Sequence, residues 1–184
     1  IASMANVAAS GGYWISVSAD EVWAAHNTIT GSIGVFGAIP TFENSLDYIG
    51  IHSDGLGTTA LSGSQNLNRE INPVLANIMQ SNVEFIYKRF LDLVAEERQM
   101  SVERVNDIAQ GKVWSGTKAL EIGLIDNLGN LSQVIKRAAE LANLKDYKIY
   151  FPEEELDWKE ELINSLFNGN VNLVLSSLKL TTLI

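Results

Sequence analysis

The 184-residue chain is 46% hydrophobic and 19% charged, the composition of a globular domain large enough for a substantial core. Its formal net charge of −9 argues against nucleic acid or an anionic membrane surface as the main partner. The absence of cysteine excludes disulfides and thiolate metal sites, and no apolar run reaches membrane-spanning length.

Ile1–Met4 reads as the end of a buried strand. Because the sequence starts inside that run, with no initiator methionine, it is expected to be a piece of something longer. Small residues lead to Ser10-Gly11-Gly12 and then to an apolar run, so a short helix is expected over Tyr13–Ala19. A serine at such a strand-to-helix turn has an exposed hydroxyl beside backbone N–H groups that lack intrahelical partners. Taken alone, a small-Ser-Gly-Gly turn is more often structural than catalytic, since glycine and serine populate turns freely. Val22–His26 reads as a buried strand. Thr30–Gly37 is rich in β formers and punctuated by glycines, which mark either a bulged core strand or an edge that an extended peptide joins.

Phe42–Ile49 carries a modest helical pattern closed by Gly50, and Ile51–Asp54 suggests a strand. Gly55–Asn68 has the composition of a loop, and loops of that length are often functional. The strongest helix runs from Pro73 to Gln99, with Ile71, Val74, Leu75, Ile78, Phe85, Ile86, Leu93 and Val94 at three- and four-residue spacing. Ser101 caps a shorter helix that stops before Gly111. A strand at Lys112–Trp114, a helix at Thr117–Ile122, a strand at Leu124–Asp126 and an amphipathic helix at Leu131–Leu144 follow. A last strand is expected at Lys148–Phe151. Beyond it an acidic linker, Pro152–Glu155, opens a helical extension with helices around Trp158–Phe167 and Val171–Leu180. The division expected is therefore a domain over 1–150 and an extension over 151–184. Strands alternating with helices indicate an α/β fold with a largely parallel sheet flanked by helices.

Ser10 needs a base, because an unassisted hydroxyl is a poor nucleophile. His26 and His52, the two histidines, are each open to that role, and spacing selects neither. Lysine is the other common base for serine, provided burial keeps it neutral. The first lysine, however, is Lys88, on a face of the long helix that reads as solvated. No spacing here suits zinc, a dinucleotide or a phosphate loop, and aromatic residues are not interleaved with basic ones as in a nucleic-acid platform.

The blocks Ser3-Met4 and Ala8-Ala9-Ser10-Gly11-Gly12-Tyr13-Trp14-Ile15-Ser16 resemble the serine motif of the signal peptide peptidase A (protease IV) family. Thr30–Val35, Glu43–Leu46, Tyr87–Phe90, Ala109–Gly111, Val113–Gly116 and Gly123–Asp126 continue the likeness in order, over about residues 1–150. The resemblance implies a ClpP/crotonase-like α/β fold and a serine–lysine endopeptidase, without cofactor or metal, that degrades cleaved signal peptides through an acyl-enzyme. It makes Ser10 the nucleophile, gives the Gly11 N–H to the oxyanion hole, and has Ser32 orient the lysine. Gly31, Ile33, Gly34 and Val35 would hold the peptide. The stretch where short members of the family carry the lysine reads Gly57-Thr58-Thr59-Ala60-Leu61 and has none. The chain thus resembles the C-terminal half of the long, duplicated form, with the lysine expected from the other half and this piece alone expected to be inactive. Partners implied are signal peptides and other apolar peptides and further copies of the protein, with no nucleic acid. The location implied is the bacterial inner membrane, facing the periplasm, held by an anchor outside this sequence. A crotonase-like thioester hydrolase or hydratase and a non-catalytic assembly module are the alternatives.

Overall fold

The computed structural model describes residues 1–150, and the chain divides into two compact units, Ile1–Leu144 and Lys145–Ile184. Of the second unit, residues 145–150 are described and contain no helix or strand, so the strand expected from Lys148 is absent over 148–150. Tyr150 is largely exposed. The remainder of that expected strand, the boundary at 150 and the two helices of the extension lie outside the described residues.

The first unit holds two small sheets. In one, Ala2–Met4 (β1), Val22–Ala24 (β3) and Asn127–Leu128 (β6) lie in the order β1-β3-β6, both pairs parallel. In the other, Val7–Ala9 (β2), Ile29–Gly31 (β4) and Val113–Ser115 (β5) lie in the order β2-β4-β5, with β2 parallel and β5 antiparallel to β4. The expected α/β class with mainly parallel pairing therefore stands. Two differences concern strands. Leu124 and Ile125 are buried, but the ladder is made by Asn127–Leu128 instead. Ile51–Asp54 forms no strand, and Ile51 and His52 are exposed.

Local chemistry sets the helix boundaries. Gly11–Ser16 (α1) and Glu43–Tyr48 (α2) are short. Pro73–Glu97 (α3) starts where the Asn72 side chain accepts from the Val74 and Leu75 N–H groups, and proline at its first position needs no such partner. Ser101 caps Val102–Ile108 (α4), Ser115 caps Gly116–Glu121 (α5), and Asn130 with Gln133 closes a capping box on Leu131–Leu141 (α6).

The core gathers Tyr13 and Val17 around α1, Phe90, Leu91 and Val94 from the C-terminal half of α3, and Leu124 and Ile125. Tyr13 is fully buried, and its hydroxyl donates to the Leu124 carbonyl at 2.8 Å, so the phenol is satisfied. Burial raises the Tyr13 pKa well above the ordinary tyrosine value, keeping it a neutral donor. Trp14 stacks at a tilt on Phe90, ring centroids 4.6 Å apart. Two buried threonines add bonds between these segments: Thr28, before β4, donates to Ala5, between β1 and β2, and Thr30 of β4 donates to Ala8 of β2, each at 2.7 Å. The apolar stripe expected along α3 is buried only at its end, for Val74, Ile78 and Phe85 are exposed. Among the described residues no helix is long and apolar enough to cross a membrane.

Candidate active site

Three serines stand at helix N-termini, and their hydroxyls are used differently. Ser101 and Ser115 have ordinary extended backbones, φ −71° and −70°, and their hydroxyls accept from Arg104 and Lys118 N–H groups. Ser10 has φ 53° and ψ −117°, and its hydroxyl makes no capping bond. A non-glycine residue at positive φ costs on the order of 1–3 kcal/mol and persists only when its surroundings impose it. The surroundings do so here. The Ser10 N–H donates to the Gly31 carbonyl at 2.9 Å, its carbonyl accepts from Trp14, and α1 is pinned from below by Tyr13 and Trp14.

The register of β2 and β4 brings a second serine alongside. Ala9 pairs with Gly31, so Ser10 and Ser32 each follow the last residue of adjacent parallel strands. Ser32 is also at positive φ, 51°, with its N–H on the Lys112 carbonyl at 2.8 Å. Gly31, at φ 76°, could carry no side chain, since a Cβ there would lie 2.8 Å from the Trp114 ring. At Gly34 a Cβ would meet the Gly111 nitrogen at 2.7 Å. The glycine spacing thus reflects close approach by the 111–114 segment. Ile33 is fully buried and its carbonyl accepts from the Gly111 N–H at 3.0 Å, whereas Gly34 and Val35 are half-buried. As for the edge expected over 30–37, Ile29–Gly31 is the central strand of its sheet, and residues 32–37 continue without regular strand pairing.

Ser10 and Ser32 open on a cavity of about 700 Å³ whose far wall is one face of α3, Gln80, Val83, Glu84 and Tyr87. These positions follow the three- and four-residue spacing that stacks side chains on a helix. A second hollow of about 300 Å³ adjoins it, sharing Ser10, Gly34, Val35 and Phe36, and is closed by Trp14, Ile86 and Phe90. At the cavity's end the Tyr87 hydroxyl lies 2.8 Å from Asn106 Oδ1 and accepts from the Gln110 N–H at 3.3 Å. Gly11, exposed at the first position of α1, has an N–H with no intrahelical partner.

The candidate bases are elsewhere. His26 contacts Thr117 at 3.2 Å and His52 contacts Asp47 at 2.8 Å, both exposed and neither lining the cavity. Lys88 is exposed and bound to Asp92 at 2.8 Å. Among the described residues neither histidine nor lysine lines either hollow. Among the described residues no cluster of histidine and carboxylate side chains suits a metal ion.

A family model described as Peptidase family S49 matches residues 1–145. The chain belongs to peptidase family S49. It is similar to Protease 4 of Salmonella typhi, 42% identical over 175 residues, and to Protease 4 of Haemophilus influenzae, 46% identical over 176 residues. These matches cover 95% and 92% of this chain and 28% of each relative, so the chain spans about a quarter of their length. Among solved structures, a membrane-bound stomatin-specific protease with a substrate peptide aligns at 14% identity and a TM-score of 0.42, over 88% of this chain and 65% of that one. So distant a likeness carries no argument. The α/β class rests on the strand pairings, and they agree with the ClpP/crotonase-like architecture implied by the family resemblance.

Of the residues that sequence reasoning singled out, the fold brings Ser10, Ser32, Gly34 and Val35 to one cavity and Gly11 to the hollow beside it, whereas Gly31 and Ile33 are buried and line neither. Sequence reasoning did not single out Gln80, Glu84 or Asn106. The signal available was the 80, 83, 84, 87 spacing, which the apolar stripe on neighbouring positions of α3 hid.

Proposed function

We propose that this chain is the nucleophile-bearing part of a serine endopeptidase whose general base is a lysine outside the chain. The observation that carries the reading is the uncommitted Ser10 hydroxyl, held at positive φ over a cavity that, among the described residues, no histidine or lysine lines. Membership of a peptidase family agrees with it, as does a span of 28% of the Protease 4 relatives, which leaves ample polypeptide to supply the missing group.

In the reaction, Ser10 Oγ attacks the scissile carbonyl while the neutral lysine amine takes its proton. The Gly11 N–H stabilises the oxyanion, and Ser32 orients the amine. Collapse breaks the C–N bond, the leaving amine takes the proton from the lysine, and water then hydrolyses the acyl-serine with the same amine as base. The peptide lies along Gly34–Phe36, where the chain leaves the strand that ends at Gly31, with Ile33 fixed from one side by Gly111. Apolar peptides, cleaved signal peptides among them, are the substrates. The whole protein works as a homo-oligomer at the bacterial inner membrane, anchored by segments outside this chain, with its catalytic part in the periplasm. Its chemistry needs no metal or cofactor.

The test compares the isolated chain with the full-length protein on an apolar fluorogenic peptide. The chain alone is expected to be inactive. In the full-length protein Ser10→Ala lowers kcat/KM by at least about a thousandfold and abolishes fluorophosphonate labelling. Activity surviving that substitution would sink the assignment.

A further inference from the structure

The walls beside Ser10 differ in chemistry along their length. The smaller hollow is closed by Trp14, Ile86 and Phe90 and carries no charge. A third hollow of about 410 Å³, next along α3 and lined by Ile39, Ile71, Met79 and Val83, is also uncharged. Among the described residues Glu84 is the single charged side chain on any of the three, and it lines, exposed, the large cavity that Ser10 and Ser32 open on.

Glu84 is also short of partners. Its Oε1 accepts from Gln80 Nε2 at 2.7 Å, and among the described residues no cation pairs with it. The cations that follow it on α3 are engaged elsewhere, Lys88 with Asp92 and Arg89 over the Phe85 ring at 5.8 Å. An ionised carboxylate has about four acceptor sites, so water fills most of them in the open cleft. A peptide lying along Gly34–Phe36 displaces that water. An apolar side chain beside Glu84 then leaves a desolvated charge without compensation, whereas a basic one replaces water with a charge-assisted bond. Val83, Val35 and Phe36 supply an apolar wall for the methylene stem of a lysine or arginine, with Glu84 and Gln80 at its head.

We propose that Glu84 makes the cleft select peptides with a basic side chain at one position, next to an apolar side chain seated against Trp14, Ile86 and Phe90. The proposal rests on the peptidase reading above and adds a substrate preference to it.

The experiment measures binding, so that it does not depend on turnover. Full-length protein with Ser10→Ala is titrated with labelled apolar peptides in pairs that differ only by lysine or norleucine, the substitution scanned along the peptide. At one position lysine is expected to bind about two- to fivefold more tightly, the range of an exposed charge pair. Adding Glu84→Gln should bring that ratio to about one, and Glu84→Lys should invert it. No position with a lysine advantage, or an advantage that survives Glu84→Gln, overturns the proposal. So does a Glu84→Gln effect on Ser10 labelling without any peptide preference, which would make Glu84 a partner of the general base. Fluorophosphonate labelling of the protein with Ser10 intact is read alongside. Labelling without lysine preference removes the role of Glu84 alone, and no labelling removes the nucleophile reading whatever the peptides do.

Discussion

Residues 1–33 and residues 34–89 form the two sides of one cleft on very different terms. In the first stretch Met4, Tyr13, Val17, Val22, Ala24 and Ile33 are buried, together with Thr28 and Thr30. Across 34–89 no residue is buried, although Phe36, Tyr48, Leu56 and Phe85 are large and apolar. The serine turn is thus fixed by a core, while the wall facing it is carried by α3, whose side chains are buried only from Phe90 onward, with Tyr87 packed against the edge of that core. A strained Ser10 needs the first arrangement, because positive φ survives only where the rest of the structure outweighs its cost. A wall that admits peptides of varied sequence does not.

The largest effect that separates the two regions lies within α3 itself. Phe90 is 2% exposed against Tyr13 and Trp14, whereas Phe85 is 59% exposed. Phe90→Ala is expected to cost about 3–5 kcal/mol of stability, the range for truncating a buried aromatic side chain. Phe85→Ala should change it by about 0.5 kcal/mol or less, chiefly through its lost contact with Arg89. Urea unfolding of the two variants measures the difference. Similar losses would show that residues 34–89 have a core of their own.

Acid should loosen the anchored region next. Asp126 binds Arg98 through both oxygens, at 2.7 and 3.0 Å, and also accepts from the Val22 N–H at 2.7 Å. Partial burial pushes the Asp126 pKa up, but the Arg98 and Val22 hydrogen bonds outweigh it, and the carboxyl sits below its ordinary value. A depressed folded pKa means stability that is complete above the unfolded value and lost as pH falls through the folded one. The loss therefore begins below about pH 4 and deepens with further acidification. Glu21, held below the ordinary range by hydrogen bonds from Arg137 and then Trp23, loses its pairing in the same direction. Removing the partner with Asp126→Asn should cost about 2–3 kcal/mol at pH 7 and flatten the acid limb of the stability curve. An unchanged limb would place the acid sensitivity elsewhere.

How far the sequence could be read follows the same division. Helix starts were legible because Asn72-Pro73, Ser101, Ser115 and Asn130 act locally on the N–H groups next to them. Short strands were not, because a run such as Ile51–Asp54 or Leu124–Asp126 has the same pattern whether or not a neighbour exists to pair with it. Leu124 and Ile125 are buried under α1 and α3 without joining a ladder, and only the assembled fold distinguishes that from a strand. At the site, Ser10 and the 31–34 glycines were readable since their conformations are set by backbone demands. Glu84 was not, because an exposed charged residue on a long helix reads the same whether or not a cleft opens beside it.

Tyr87 joins the two regions, and its hydroxyl is the finest probe of how they communicate. It sits where α3 meets the edge of the core, lies 2.8 Å from Asn106 Oδ1 and accepts from the Gln110 N–H. Gln110 and Gly111 are both at positive φ, 58° and 72°, so the turn they form needs fixing from outside. That turn in turn holds the substrate side, through the Gly111 N–H on Ile33 and the Lys112 carbonyl on Ser32. Tyr87→Phe keeps the ring and removes two hydrogen bonds near solvent, so its stability cost should be about 1 kcal/mol. In the full-length enzyme the expected consequence is KM raised about fivefold with kcat within about twofold, because the strand is displaced while Ser10 stays on its own core. A fall in kcat at unchanged KM would instead mean that the turn positions Ser32 and the chemistry, and that the two walls of the cleft are mechanically one.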